Sequence, residues 1–69
     1  MERHTLRIGN MKSPHCVMTV RNLIDNQGGI QLETIEPGKV EVSINEAKSS
    51  LAALVAAIEN MGYKVEDKN

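Results

Sequence analysis

The chain contains no Phe and no Trp, a single tyrosine, Tyr63, and a single cysteine, Cys16. RNA-binding sheets stack bases on exposed aromatics, so an RNA-binding function has no support here. One cysteine cannot close an internal disulfide; the fold must stand without a covalent staple, and the lone thiol is most simply kept reduced in a cytoplasm. Charge of one sign is missing too: eight Lys and Arg against nine Asp and Glu leave a formal charge of -1. That balance supplies no field to gather nucleic acid or an anionic membrane. No apolar run is long enough to span a bilayer, and the opening "MERHTLRIGN" breaks its apolar alternation with charges, unlike a signal peptide. With no acid–base pair, phosphate loop or nucleophile triad in view, the chain reads as non-enzymatic.

What is present is a clean pattern of short elements. At 69 residues the chain has room for one domain, residues 1–69, whose burial is sufficient only if the core is well patterned. His4, Leu6 and Ile8 alternate with Thr5, Arg7 and Gly9, predicting a strand over residues 3–9. Cys16, Val20, Leu23, Ile24 and Gln27 follow at helical spacing up to "QGG" and predict a helix over 14–27. Ile30 and Leu32 share a strand phase that Ile35 leaves, so the second strand is expected to bulge or end near Thr34. "EPGK" supplies a turn into a third strand carrying Val40, Val42 and Ile44. Leu51, Leu54, Val55, Ile58 and Met61 form a second helical stripe, with Ser49 or Ser50 as cap and Gly62 as stop. "YKVED" then reads as a short fourth strand with a polar tail.

Strand, helix, strand, strand, helix, strand is the ferredoxin-like βαββαβ order. It is an α+β fold in which two helices cover one face of an antiparallel four-stranded sheet. The polar alternates Thr5, Arg7, Lys39, Glu41 and Ser43 suit a second face left in water.

Where the first strand pattern gives way to the first helix stands "MKSPHC", residues 11–16. The order of elements, the segment "GNMKSPHCVMTV" and the closing "IENMGYKV" together resemble the heavy-metal-associated domain, the fold of small copper(I) chaperones and of metal modules of copper-transporting P-type ATPases. The resemblance covers nearly the whole chain. It implies that Met11 occupies the methionine of the family's Met-x-Cys-x-x-Cys loop, Cys16 the second cysteine, and Ser13 the place of the first. Gly62 and Tyr63 match the family's Gly-Tyr beside the metal loop. The implied metal ligands are Cys16 and, in degenerate form, Ser13. The implied cargo is copper(I), with zinc(II) less suited. The implied partner is a metal-transporting P-type ATPase or a related metal-handling domain; with one thiolate per chain, bound copper(I) is further expected to recruit Cys16 of a second copy, a metal-dependent homodimer.

Physical chemistry sets what such a loop can do. Soft thiolates select copper(I), which is content with two ligands, and a helix start favours the thiolate through its unpaired amides and dipole. A serine hydroxyl is a hard, neutral donor and cannot stand in for a thiolate on a soft ion. Ser13 before Pro14 is also a good helix start without any metal, and Cys16 lies on the apolar stripe, where a small buried hydrophobe also fits. His15 is about 100° and Met18 roughly 200° from Cys16 on a helical wheel, so both are expected in solvent. Met11 could offer a thioether to copper(I), but the resemblance implies that it packs beneath the loop, in the core. His4 is separated from Gly9 by roughly 17 Å of strand, too far to join the loop. Tyr63 either covers the loop or closes the core edge.

Two rival functions frame the expectation. "SPHC" resembles a thioredoxin-type redox centre, but the nucleophilic first cysteine is Ser13 and 69 residues cannot build that fold. The alternative is a metal-free interaction module that keeps the scaffold and has lost the ligand pair.

Overall fold

The computed structural model describes residues 1–68 and begins with β1 (Glu2–Gly9), where Leu6 and Ile8 point into the core while Arg7 stays in solvent. α1 (Pro14–Asp25) starts because Ser13 is extended and Pro14 enters with its φ preset and no N–H to satisfy. The apolar stripe predicts a helix to residue 27, and the helix instead ends at Asp25. The Asn26 N–H splits between the carbonyls of Asn22 and Leu23, 3.2 Å to each, and the Gln27 N–H reaches the Ile24 carbonyl at 3.0 Å. Three-residue spacing of this kind tightens a last turn and satisfies its leftover carbonyls. Gly29 follows with φ 83, and a Cβ there would lie 2.7 Å from Cβ of Lys48. The chain can pass the 45–49 turn this closely only as glycine.

β2 (Ile30–Glu36) and β3 (Lys39–Ile44) form the expected hairpin. The phase change in β2 is a bulge and not an end: Leu32 pairs with Val42 but Thr34 with Glu41, so the extra residue returns Ile35 to the core side. Gly38 at φ 83 gives the Pro37–Gly38 turn the left-handed residue it requires. α2 (Leu51–Asn60) is capped by Ser50, whose Oγ accepts the Ala53 N–H at 3.1 Å. Met61 completes the apolar stripe in the sequence, yet it caps the helix end and is 49% exposed. β4 (Lys64–Lys68) begins one residue later than "YKVED" suggests, leaving Tyr63 outside the strand; Asn69, the end of the expected polar tail, lies outside the described residues.

The sheet order is β2-β3-β1-β4, all antiparallel, which is the ferredoxin-like arrangement. Val20 and Ile24 of α1 with Leu54, Val55 and Ile58 of α2 close over Leu6, Ile8, Val40, Val42 and Ile44. Each such side chain contributes about 1.5–3 kcal/mol by leaving water. On the other face Thr34 Oγ1 donates to Glu41 Oε1 and Ser43 Oγ to Glu33 Oε2, both at 2.7 Å, with Arg3 Nη2 3.7 Å from Glu33 Oε1. Such exposed pairs contribute little to stability but keep the uncovered face hydrated. At the other border, the β1–β4 register slips between Arg7 and Ile8.

Candidate metal centre

Between β1 and α1 the chain turns through Asn10, which takes a left-handed φ of 69. Asn tolerates that region better than most residues. The turn drops Met11 into the core at 1% exposure, which pins the near end of the loop from beneath, while Lys12 and Ser13 stay in solvent. Met11 is thus a packing residue, as expected, and its thioether does not face the loop's open side.

Ser13 and Cys16 are brought together by the first helical turn. The Ser13 Oγ accepts the Cys16 N–H at 3.2 Å and sits 3.3 Å from Cys16 Sγ, to which its hydroxyl donates. Cys16 is half-buried and packs against the core, with its sulfur within reach of the Ser13 hydroxyl. Its pKa falls from an ordinary 9.0 to about 7; the largest cause is the Ser13 hydroxyl, followed by the Tyr63 hydroxyl and then the backbone N–H of Ser13, with a smaller donation from the Lys12 N–H, partly opposed by burial. All of these donors favour the anion over the thiol. Tyr63 is raised in return, chiefly because it is the donor in its hydrogen bond to Cys16.

Tyr63 packs against the core edge, and its hydroxyl lies near enough to the sulfur to favour the thiolate. Spacing arguments cannot find such a contact across 47 residues of chain; the match of Gly62–Tyr63 to the family pattern was the available signal. His15 is exposed on the first turn, and its backbone carbonyl accepts from Thr19 Oγ1 at 3.0 Å. Met18 is 62% exposed. His4 lies at the opposite end of β1, beside Glu46, and takes no part in the loop. The arrangement offers one sulfur, readily ionised near neutrality, at an open loop.

No protein-family model matches this sequence. Over 67 residues it is 36% identical to the copper chaperone CopZ of Bacillus subtilis (strain 168), an alignment that covers 94% of this chain and 97% of that protein. The chain belongs to the heavy-metal-associated copper-chaperone family. This heavy-metal-associated domain is also similar to the solution structure of a putative copper-ion-binding protein from Bacillus anthracis str. Ames. There the TM-score is 0.86 at 32% identity, with 94% of each chain covered. A copper binding domain from HMA7, a P-type ATPase, superposes with a TM-score of 0.88 over 96% of this chain and 92% of its own; at 16% identity that likeness shows the fold alone. Among the described residues no helix is long and apolar enough to cross a membrane.

Proposed function

We propose that this heavy-metal-associated domain handles copper(I) as cargo in the cytoplasm, without catalysis, using the Cys16 thiolate as its own ligand and borrowing the second. The observation that carries this reading is the sulfur's setting: Cys16 Sγ stands at an open helix start with its pKa near 7, so the anion that copper(I) prefers is well populated at neutral pH. The chain has no other cysteine, and Met11 is buried. Ser13 adjoins the metal position as a hydrogen-bond donor to the sulfur, too hard a donor to complete the coordination of a soft ion.

A two-coordinate ion on one thiolate remains unsatisfied, so the second sulfur comes from another molecule. That molecule is a second copy of this chain or the thiolate of a recipient, for which a metal module of a P-type ATPase is the fitting class. Release then needs no unfolding, because the ion passes between sulfurs at exposed loops. Zinc(II), which takes four ligands in closed sites, is held less well by this loop.

Copper(I) competition titration under reducing conditions, with sedimentation followed in parallel, tests the reading. Uptake of one ion per two chains together with dimer formation supports it. A tightly loaded monomer rejects it and assigns the second donor to His15, or to a Met11 released from its buried position. No uptake at all leaves the metal-free interaction module in its place.

A further inference from the structure

Glu2 and His4 are two residues apart on β1 and so project to the same face of the sheet, the face that carries Leu6 and Ile8 further along. In register, Glu2 lies opposite Ile44 and His4 opposite Val42. Directly after Ile44 the chain folds back on itself at Asn45. The Asn45 N–H donates to the Gly29 carbonyl at 2.7 Å, Asn45 Oδ1 accepts the Ala47 N–H at 3.1 Å, and the Asn45 carbonyl accepts from Lys48 and Ser49 at 2.9 and 3.0 Å. This turn sets Glu46 against the start of β1, with its Oε1 3.8 Å from His4 Nε2. One donor atom from each of Glu2, His4 and Glu46 lies within 4.8 Å of the other two. The His4 side chain is only 14% exposed and Glu46 is 47% exposed, so a nearly fixed imidazole faces adjustable carboxylates.

We propose that Glu2, His4 and Glu46 form a second metal site, for a borderline first-row divalent cation such as zinc(II), at the end of β1 remote from Cys16. One imidazole nitrogen and two carboxylate oxygens are the donor set such ions accept, and a set that copper(I) disfavours. Donors sharing one tetrahedral zinc ion at the usual bond lengths stand roughly 3.3 Å apart. Glu2 and Glu46 are both exposed, so it is their side chains that would move to close that spacing around the nearly fixed His4. Three protein ligands leave a coordination position for water or for a donor from another molecule. The domain would thus carry two chemically different sites, a soft one on its loop and a borderline one at the far end of the same strand, each loaded without competing for the other's ion.

Zinc(II) alone, titrated into the full-length Cys16→Ser variant, tests the site free of the thiol, with amide chemical shifts and competition against a chromophoric chelator as readouts. The expected result is one equivalent bound, with shifts centred on Glu2, His4 and Glu46. Loss of an outer-shell partner already costs about 10–100-fold in affinity, so His4→Gln and Glu46→Gln should each weaken binding at least about tenfold. Glu46 is exposed, so its variant tests the site even if His4→Gln disturbs the fold, which circular dichroism reports. Shifts centred on His15, unchanged affinity in Glu46→Gln, or no zinc uptake would each overturn the assignment.

Discussion

Ser13 and Cys16 hold one another twice through a single oxygen: Ser13 Oγ accepts the Cys16 N–H at 3.2 Å and donates its hydrogen to Cys16 Sγ at 3.3 Å. A hydroxyl has one hydrogen and two lone pairs, so both bonds form at once. The atom that starts the helix is therefore the atom that favours the thiolate.

Removing that oxygen should produce two coupled effects. Ser13→Ala is expected to cost about 1 kcal/mol in thermal or urea denaturation through the lost cap, and to move the Cys16 alkylation midpoint upward from about 7 toward the ordinary 9.0. Ser13→Thr, which keeps the hydroxyl, should preserve both. Tyr63→Phe should raise the midpoint by less, since Tyr63 is the second contributor and not the first. A midpoint unchanged in Ser13→Ala would contradict the assigned hydrogen bond.

Stability should depend on pH through the same thiol. Its pKa is near 7 when folded and near 9 when unfolded, so between those values the unfolded chain binds more proton and stability rises with pH. The contribution is complete above about 9 and lost as pH falls through about 7. Tyr63 acts in the opposite sense, because its raised pKa means a contribution that is lost as pH climbs above the tyrosine range. Chemical denaturation at pH 6.0 to 9.0 should show the rise in the parent and a flatter profile in Cys16→Ala; parallel profiles would refute it.

Ser13→Cys should convert the loop into a two-sulfur site. The two side chains differ in one atom, Ser13 Oγ already touches Cys16 Sγ at 3.3 Å, and Pro14 and the helix start shape the loop independently of any ligand. Tight copper(I) uptake by a monomer is the expected outcome, at a folding cost of about 1 kcal/mol for the weaker cap. A folded variant that takes up copper(I) no better than the parent would show that the loop is no metal site.

Adjacent glycines should respond differently to one methyl group. Gly29→Ala forces a side chain into a left-handed backbone, 2.7 Å from Lys48 Cβ, whereas a Cβ at Gly28 meets nothing within 4 Å. Strain of this kind costs about 1–2 kcal/mol or more. Denaturation midpoints should fall in the first variant and hold or rise slightly in the second.

The element order was legible in the sequence because a one-sided sheet and two amphipathic helices write their periods plainly, as Val40, Val42 and Ile44 do in β3. Even the β2 bulge left a trace, as the change of phase from Leu32 to Ile35. Helix ends were less readable. Gln27 and Met61 continue the helical spacing of the two stripes, but the backbone stops by tightening its last hydrogen bonds, which no side-chain period records. Spacing put Cys16 on the first stripe of α1, while Ser13 and Met11 took their places in the loop from the resemblance to the family motif. The donation from Tyr63, and the meeting of Glu46 with His4, depend on how distant segments close in space, and local pattern is silent on both.

The borders of the sheet set how copies of this chain can meet. β2 and β4 are the outer strands. Glu33 and Thr34 at the bulge of one, and Lys64, Glu66, Asp67 and Lys68 along the other, are exposed. Charges and broken register make poor templates for a further strand. Two molecules sharing an ion at their loops would therefore touch by side chains alone, with no backbone ladder to lock them. In the proposed copper-bridged pair such an encounter can be brief, because edges of this kind do not zip together.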